Sequence, residues 1–235
     1  DKLHEEERTV LTQAERSNVL INRDADNVME LGSLTMKGSK NAINVADDEE
    51  DGFAKGTISA NGDVTMESSL GNVVKGTLNV TGDLRMSGEE VEKDISGSGS
   101  NEIDGTVTAD SIKMFGAANT IKGQIEAGNG ILMAGDQVDQ DGEIVYGKAE
   151  KNTIDLNMAG SVSAEYASIE MYGDSNEIKS NAAQVTVDRA IADSKDSDEI
   201  EDINAKISSK GGIVMEGAEN KLDFSVSAAA KGTYE

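Results

Sequence analysis

Carboxylates are the most abundant side chains in this chain that could carry out chemistry. There are 45 Asp and Glu residues, a single histidine, His4, and no cysteine. Paired carboxylates can hydrolyse glycosidic bonds, and converging carboxylates can bind calcium. A histidine-dependent triad, a histidine metal site and thiol chemistry are excluded. Because aromatic residues, which commonly form sugar-binding platforms, make up only 3% of the chain, we predict no catalytic residues and no enzyme activity.

The acidic residues concentrate in four runs that interrupt the rest of the sequence, at 47–51, 89–92, 136–141 and 193–202. An EF-hand calcium loop needs a glutamate at its twelfth position, and counting from Asp136 this position is Gly147. The glycine-rich nonapeptide of calcium-binding solenoids is also missing. We therefore interpret the runs as solvated loop insertions and expect no cofactor and no metal ligand. Calcium binding stays an alternative.

Net charge narrows the range of partners. The chain has 21 Lys and Arg residues and a formal net charge of -24. Such a charge repels nucleic acid phosphates and anionic membrane surfaces. No apolar run approaches the length of a membrane span. We expect no nucleic acid partner and no direct membrane insertion in this segment.

An internal repeat defines the scaffold that must position any functional group. Seven methionines share a pattern with an aliphatic residue two positions before the methionine and usually a glycine two positions after it. Residues two apart lie on one face of a strand, so the pattern predicts short strands that turn their methionines into a core. The predicted core methionines are Met36, Met66, Met86, Met114, Met133, Met171 and Met215.

Two further elements complete the repeat. One is a short alternating strand after a glycine, as in 56–60. The other is an asparagine two positions before an aliphatic residue, interpreted as a turn with left-handed backbone and as part of a hydrogen-bonded ladder. The methionines at 66 and 86 are 20 residues apart, and those at 114 and 133 are 19 apart. Together with the absence of proline, this predicts an all-β fold, a right-handed parallel β-helix with three sides and about 19–20 residues per rung. The asparagines are Asn41, Asn72, Asn101, Asn119, Asn152, Asn176 and Asn220.

The N-terminal segment differs from the repeat. Leu3, Val10, Leu11 and Ala14 fall on one face of a helix, and acidic residues 5–7 lie in its first turns. Solenoids commonly carry caps that cover their open ends. We predict an amphipathic capping helix over residues 2–16 within a cap of residues 1–20, followed by a β-helix over residues 21–235 with acidic insertions.

The residue between the methionine and the glycine of the repeat is predicted to point outward. It is aromatic at Phe115 and Tyr172, and Tyr146 joins them if residues 144–146 form a partial copy of the repeat. Exposed aromatic residues in an aromatic-poor protein are candidates for a contact surface. We predict Phe115, Tyr146 and Tyr172 as binding residues. Packing beneath an insertion loop is the alternative.

The repeat also resembles a known family. The run from Lys75 to Gly88, Lys-Gly-Thr-Leu-Asn-Val-Thr-Gly-Asp-Leu-Arg-Met-Ser-Gly, with the later Asn-Glu-Ile, resembles the passenger domains of type V autotransporters, especially large fusobacterial adhesins. The resemblance implies a passenger β-helix at the cell surface, on the extracellular side of the outer membrane. It further implies attachment to host cells or other bacteria, through a surface protein or glycan. No binding residue carries over from this family.

Two other classes of protein stay open. Residues 76–84 also resemble the bactofilin repeat, which would make the chain a cytoskeletal polymer, although the acidic insertions and the predicted cap argue against it. Parallel β-helices also include polysaccharide lyases and hydrolases. Filaments of the purified chain would favour the first alternative, and release of unsaturated sugars would favour a lyase.

Overall fold

The computed structural model describes residues 17–45, 56–156, 161–180, 185–188 and 205–224, and the regular structure of these residues is entirely β. Within this part of the chain, no helix has the length and hydropathy needed to cross a membrane. The strands are β1 (Ser17–Leu20), β2 (Val28–Leu31), β3 (Leu34–Ile43), β4 (Thr57–Ala60), β5 (Val64–Val80), β6 (Leu84–Ser87), β7 (Glu90–Val91), β8 (Asp94–Ile95), β9 (Ser98–Ala109), β10 (Ile112–Ala127), β11 (Ile131–Ala134), β12 (Gln137–Gln140), β13 (Glu143–Tyr146), β14 (Ala149–Asp155), β15 (Ser161–Ala164), β16 (Ile169–Ser180), β17 (Val185–Asp188), β18 (Ala205–Ser209), β19 (Ile213–Glu216) and β20 (Glu219–Phe224).

Sixteen of these strands form one parallel sheet in which like residues pair with like. On the first face, called the methionine face, all seven repeat methionines occupy one column, each in register with the next along the chain. A parallel ladder with this register places identical side chains one strand spacing apart, about 4.8 Å. The repeat spacing in the sequence therefore corresponds to stacked coils.

The asparagines form a second column, on the asparagine face. Neighbouring members are in register from Asn18 to Asn220, so that eight coils contribute one asparagine each. Eight coils correspond to a stack about 34 Å long. Asn18 extends the predicted set by one coil, and β1, which contains it, lies inside the segment assigned to the N-terminal cap.

The third face stacks the short alternating strands in the order β2, β4, β5, β9, β10, β15, β18 and β17. The order follows the chain except at its end. There β18 lies between β15 and β17, although β17 precedes β18 in sequence. The predicted all-β fold of stacked parallel strands is confirmed, and the three columns are compatible with a β-helix. The predicted capping helix over residues 2–16 lies outside the described residues, as do the acidic runs at 47–51 and 193–202.

The core runs between the three faces. Met66, Met86, Met114, Met133 and Met171 are fully buried. Met36 is also buried, and Met215 is partly buried against the same cluster. Their partners in the core are the aliphatic residues of the other two faces, such as Ile103, Ile125 and Val162. The flexible thioether side chains fill the space between stacked aliphatic residues.

Bonds between amide side chains hold the asparagine column together. Each asparagine donates from Nδ2 to Oδ1 of the next, at 2.8 Å for the first pair and 2.9 Å for the others. The same nitrogen donates to a backbone carbonyl at the end of a methionine strand, as from Asn101 to the carbonyl of Phe115 at 3.0 Å. The predicted ladder is confirmed, but its asparagines lie in strands. Among the described residues, left-handed backbone at non-glycine positions occurs at Asn44, Glu92 and Asp141 instead.

Some of the glycines that follow a repeat methionine make room for this ladder. A Cβ atom on Gly116 would lie 2.8 Å from Nδ2 of Asn101, and one on Gly173 would lie 2.7 Å from Nδ2 of Asn152. Both distances are well inside van der Waals contact. At these two coils the third residue of the pattern is glycine because the neighbouring amide side chains occupy the place of a side chain, whereas at Gly135 the backbone of Lys148 occupies that place.

A second sheet, the small sheet, lies outside the solenoid. It consists of β7, β8, β12 and β13, all antiparallel. Its strands come from the acidic runs at 89–92 and 136–141 and the residues that follow them. These two runs were expected to be solvated loops and are instead paired strands. The antiparallel pairing is possible because each run folds back on itself.

Candidate contact surface

The residues between methionine and glycine form a second column outside the core, called the outer row. Its members are in register where β-pairing is continuous, as for Lys37 with Glu67 and Phe115 with Ala134. The outer row is charged at both ends and contains aromatic and small residues between them. It consists of Lys37, Glu67, Ser87, Phe115, Ala134, Tyr172 and Glu216.

The first part of the outer row is an ion-pair network. Lys37 Nζ lies 2.7 Å from Glu67, and Arg85 lies 3.2 Å from Glu67 and 2.6 Å from Glu90. Glu67 is buried, and a buried carboxylate is stabilised only where cations surround it. Because Glu90 belongs to β7, Arg85 also attaches the small sheet to the solenoid.

The small sheet covers the middle of the outer row. Phe115 is fully buried against Ile95 and Ala134, with Tyr146 and Tyr172 packed on the same cluster. The prediction that Phe115 is exposed was therefore wrong, and the alternative of packing beneath an insertion describes its position. Phe115 is buried because two insertions, one before and one after its coil in the sequence, meet over its side chain, where Gln137 pairs with Ile95.

The three predicted aromatic residues do lie together. The ring centroids of Phe115 and Tyr146 are 6.5 Å apart, and those of Tyr146 and Tyr172 are 5.2 Å apart. Tyr146 reaches this cluster from β13 of the hairpin, so residues 144–146 are not a partial copy of the repeat. Tyr146 and Tyr172 are partly exposed, and the exposed portion of the predicted contact surface is therefore these two tyrosines.

Tyr172 is held in its neutral form. Burial raises its pKa to about 12, and the hydrogen bond donated by its hydroxyl to Glu170, 3.1 Å long, acts in the same direction. The negative charge of Glu216 adds to the effect. The hydroxyl therefore stays protonated and keeps its hydrogen bond to Glu170.

A second link joins the two insertions. Lys93 Nζ lies 2.7 Å from Asp139, and the backbone N–H of Gly142 donates to the same carboxyl group at 2.6 Å. The hydrogen bond from Lys93 and that from Gly142 both lower the pKa of Asp139. The negative charge of Asp139 therefore holds the hairpin against β8. Because the pKa of Asp139 is lowered, this charge is retained well below neutral pH.

The exposed part of the small sheet combines apolar and acidic groups. Val91 is 60% exposed, and Ile144 and Val145 are each 40% exposed. The segments 89–95 and 136–147 carry eight acidic residues and one lysine. No group of three or more His, Cys, Asp or Glu side chains within the described ranges is arranged to hold a metal ion. The groups on this surface provide apolar contact, hydrogen bonding and negative charge.

The hairpin of β12 and β13 was missed from the sequence, although a signal for it is present. Asp141 and Gly142 form its two-residue turn, with φ of 57° and 91°. Asp-Gly between alternating residues is a strong hairpin signal, because both residues accept positive φ. The acidic composition of the run, which is typical of a solvated loop, obscures this signal.

The fold defines a class of protein, a stack of parallel β-coils that carries a separate antiparallel sheet. Comparison with protein-family models, with curated protein sequences and with solved structures finds no match to this chain. The function must therefore be argued from the scaffold and from the surface that it presents.

Proposed function

We propose that the chain is a segment of a bacterial cell-surface autotransporter adhesin, lying on the extracellular side of the outer membrane. In this proposal it is a right-handed, three-sided parallel β-helix of about 19–20 residues per rung that mediates or supports attachment to host cells or other bacteria. The partner is a surface protein or glycan. The proposal makes the stacked coils a stiff scaffold and the small sheet the displayed element.

One observation carries the proposal. The asparagine column continues through eight coils, while insertions from two of these coils leave the stack and pair with each other outside it. The scaffold does not need the small sheet to close its core, since the core cluster lies between the three faces. Because the small sheet is added to a scaffold whose core is already closed, its presence supports a role in contact with a partner.

The chemistry of the surface is compatible with this role. Tyr146 and Tyr172 present partly exposed rings beside one another, and tyrosine is among the residues that contribute most to binding at interfaces. Exposed Ile144, which shares a face of β13 with Tyr146, extends the apolar area along the hairpin. The resemblance of residues 75–88 to autotransporter passengers favours a partner on another cell.

The test is binding of the labelled chain to mammalian cells and to partner bacteria. We expect saturable binding that falls at least about tenfold in affinity in a Tyr146→Ser/Tyr172→Ser variant, since two central contact residues together contribute about 2 kcal/mol or more. Phe115 is not used because its replacement would disturb the buried cluster. The matched control is Tyr166→Ser, because Tyr166 is 62% exposed and does not belong to the aromatic cluster of Phe115, Tyr146 and Tyr172.

The results separate three possibilities. Loss of binding in the double variant, with retention in the control and a cooperative unfolding transition in both variants, supports the proposal. Equal loss in both variants means that the tyrosine surface is not the contact. Absence of saturable binding to any cell contradicts a direct role in attachment and leaves only the supporting one, and filaments of the purified chain in electron micrographs contradict the adhesive function altogether.

A further inference from the structure

The outer edge of the small sheet is an unpaired strand. The order of strands is β13, β12, β8 and β7, so β13 pairs on one side with β12 and has no strand on its other side within the described residues. Glu143, Ile144 and Val145 are exposed along it. An exposed strand edge is a template for the addition of another strand.

The ladder of the hairpin shows which backbone groups face this edge. The N–H of Gly147 donates to the carbonyl of Asp136 at 3.1 Å, so residues 143 and 145, which have the same parity, also turn their backbone groups toward β12. Because hydrogen-bonding direction alternates along an antiparallel strand, the N–H and C=O groups of Ile144 and Tyr146 point to the open edge. These four groups can bond to an added strand.

We propose that this edge of β13 binds an extended peptide segment rich in lysine or arginine, which adds to the small sheet as a fifth strand. This inference gives the chemical class of the partner for the adhesive function proposed above. Only the placement of the peptide in a surface protein of another cell rests on that function. Aliphatic residues of the peptide pack beside Ile144, and its basic residues lie on the opposite face of the sheet, beside Glu143.

Charge selects this occupant. The segments that build the small sheet carry eight acidic residues against one lysine, and that lysine, Lys93, is already paired with Asp139. Asp141 and Glu143 are exposed next to the edge. A second copy of this chain would bring the same acidic groups into contact, with a formal net charge of -24 on each molecule, and like charges across an interface oppose association.

The experiment measures anisotropy of a fluorescent peptide of alternating lysine and valine against the purified full chain. We expect saturable binding that weakens as salt is added, with no binding of the matching peptide of alternating glutamate and valine. Ile144→Lys, which places a cation on the edge and opposes the basic peptide, should weaken binding at least about tenfold. The matched control is Val91→Lys, because Val91 is exposed on β7 at the opposite edge and undergoes the same change in charge.

A second measurement follows the backbone directly. Hydrogen exchange by nuclear magnetic resonance should show slower exchange of the Ile144 and Tyr146 amides when the peptide binds, and unchanged exchange of Val145. Equal weakening by Ile144→Lys and Val91→Lys, binding of the acidic peptide, or no added protection at Ile144 would overturn the proposal. Sedimentation that shows a dimer dissolved by Ile144→Lys would also overturn it, since the occupant would then be a second copy.

The two proposals can fail separately. If the peptide adds to β13 while no cell binds the chain, the strand-addition site stands and the adhesive function does not. If cells bind the chain and Ile144→Lys leaves this binding unchanged, the tyrosine surface is the contact and the strand-addition proposal fails.

Discussion

Asn101 donates a hydrogen bond from Nδ2 to Oδ1 of Asn119 over 2.9 Å, and both side chains are buried. The bond joins neighbouring coils, and Asn119 in turn donates from Nδ2 to Oδ1 of Asn152. Its nitrogen also donates to the carbonyl of Ala134 at 2.9 Å. With a further bond to the carbonyl of Gly116 at 3.3 Å, one amide group thus satisfies polar atoms in four other residues within the interior of the stack.

Asn119→Ala should destabilise the chain by about 3 kcal/mol or more, because a buried donor on Asn101 and buried acceptors on Asn152 and Ala134 lose their partner. Chemical denaturation measures this loss. The matched control is Asn129→Ala, since Asn129 is exposed and bonds only to Asp110 among the contacts described. Equal effects of the two substitutions would show that the asparagine ladder does not contribute specifically to stability.

Gly116→Ala should cost about 1–3 kcal/mol, because the new Cβ would lie 2.8 Å from Nδ2 of Asn101 and 3.0 Å from Oγ of Ser98. Thermal unfolding gives the change. The control is Gly32→Ala, since a Cβ there has no atom within 4 Å and the backbone is not left-handed. Gly32→Ala is expected to be neutral or slightly stabilising, and a similar loss at both sites would contradict the steric explanation.

Met114→Asp should reduce the free energy of unfolding by about 3–5 kcal/mol, because an ionised carboxylate would lie without a partner in the core. Met114 is fully buried between Met86 and Met133. Met114→Leu keeps the volume and polarity of the site and should cost less than about 1.5 kcal/mol. A melting curve that Met114→Asp leaves unchanged would refute the core assignment.

Tyr172 should make stability fall at high pH. Its pKa is raised in the folded chain to about 12, above the value of about 10 in an unfolded chain. Its contribution is therefore complete below about pH 10 and is lost as pH rises through about 12. Tyr172→Phe should show a smaller fall across this window, measured by urea unfolding. Absorbance titration should show one fewer late-ionising tyrosine, and an unchanged count would contradict the assignment.

The sequence was sufficient to predict the columns because each coil repeats the same local pattern. Met114 and Asn119 could be placed in columns from spacing alone, since a parallel register brings equivalent positions together. Asn18 was missed although it too precedes an aliphatic residue by two positions, because no methionine strand comes before it. Strand parity groups the aromatic residues at 115 and 172, whereas Tyr146 was added on the premise of a partial repeat, which the antiparallel hairpin contradicts.

The position of the small sheet could not be predicted in the same way. Gln137 pairs with Ile95, two residues from different insertions that share no repeat position and no sequence pattern. The burial of Phe115 follows from that long-range pairing rather than from its own strand. Strand parity indicates only that a side chain points away from the core, and it does not indicate whether another element covers it.

The pairing of Gln137 with Ile95 also has a mechanical consequence. A pull along the stack loads the interfaces between coils in series, because each coil contacts only its neighbours, and the weakest interface separates first. The small sheet fastens the coils of Met86 and Met133 to each other across the coil of Met114. Several contacts share the load within this three-coil block. Unravelling that starts at either end of the stack should therefore stop at the block. Fluid shear on an attached cell would then stretch the ends of the segment before it disturbed the surface proposed to hold the partner.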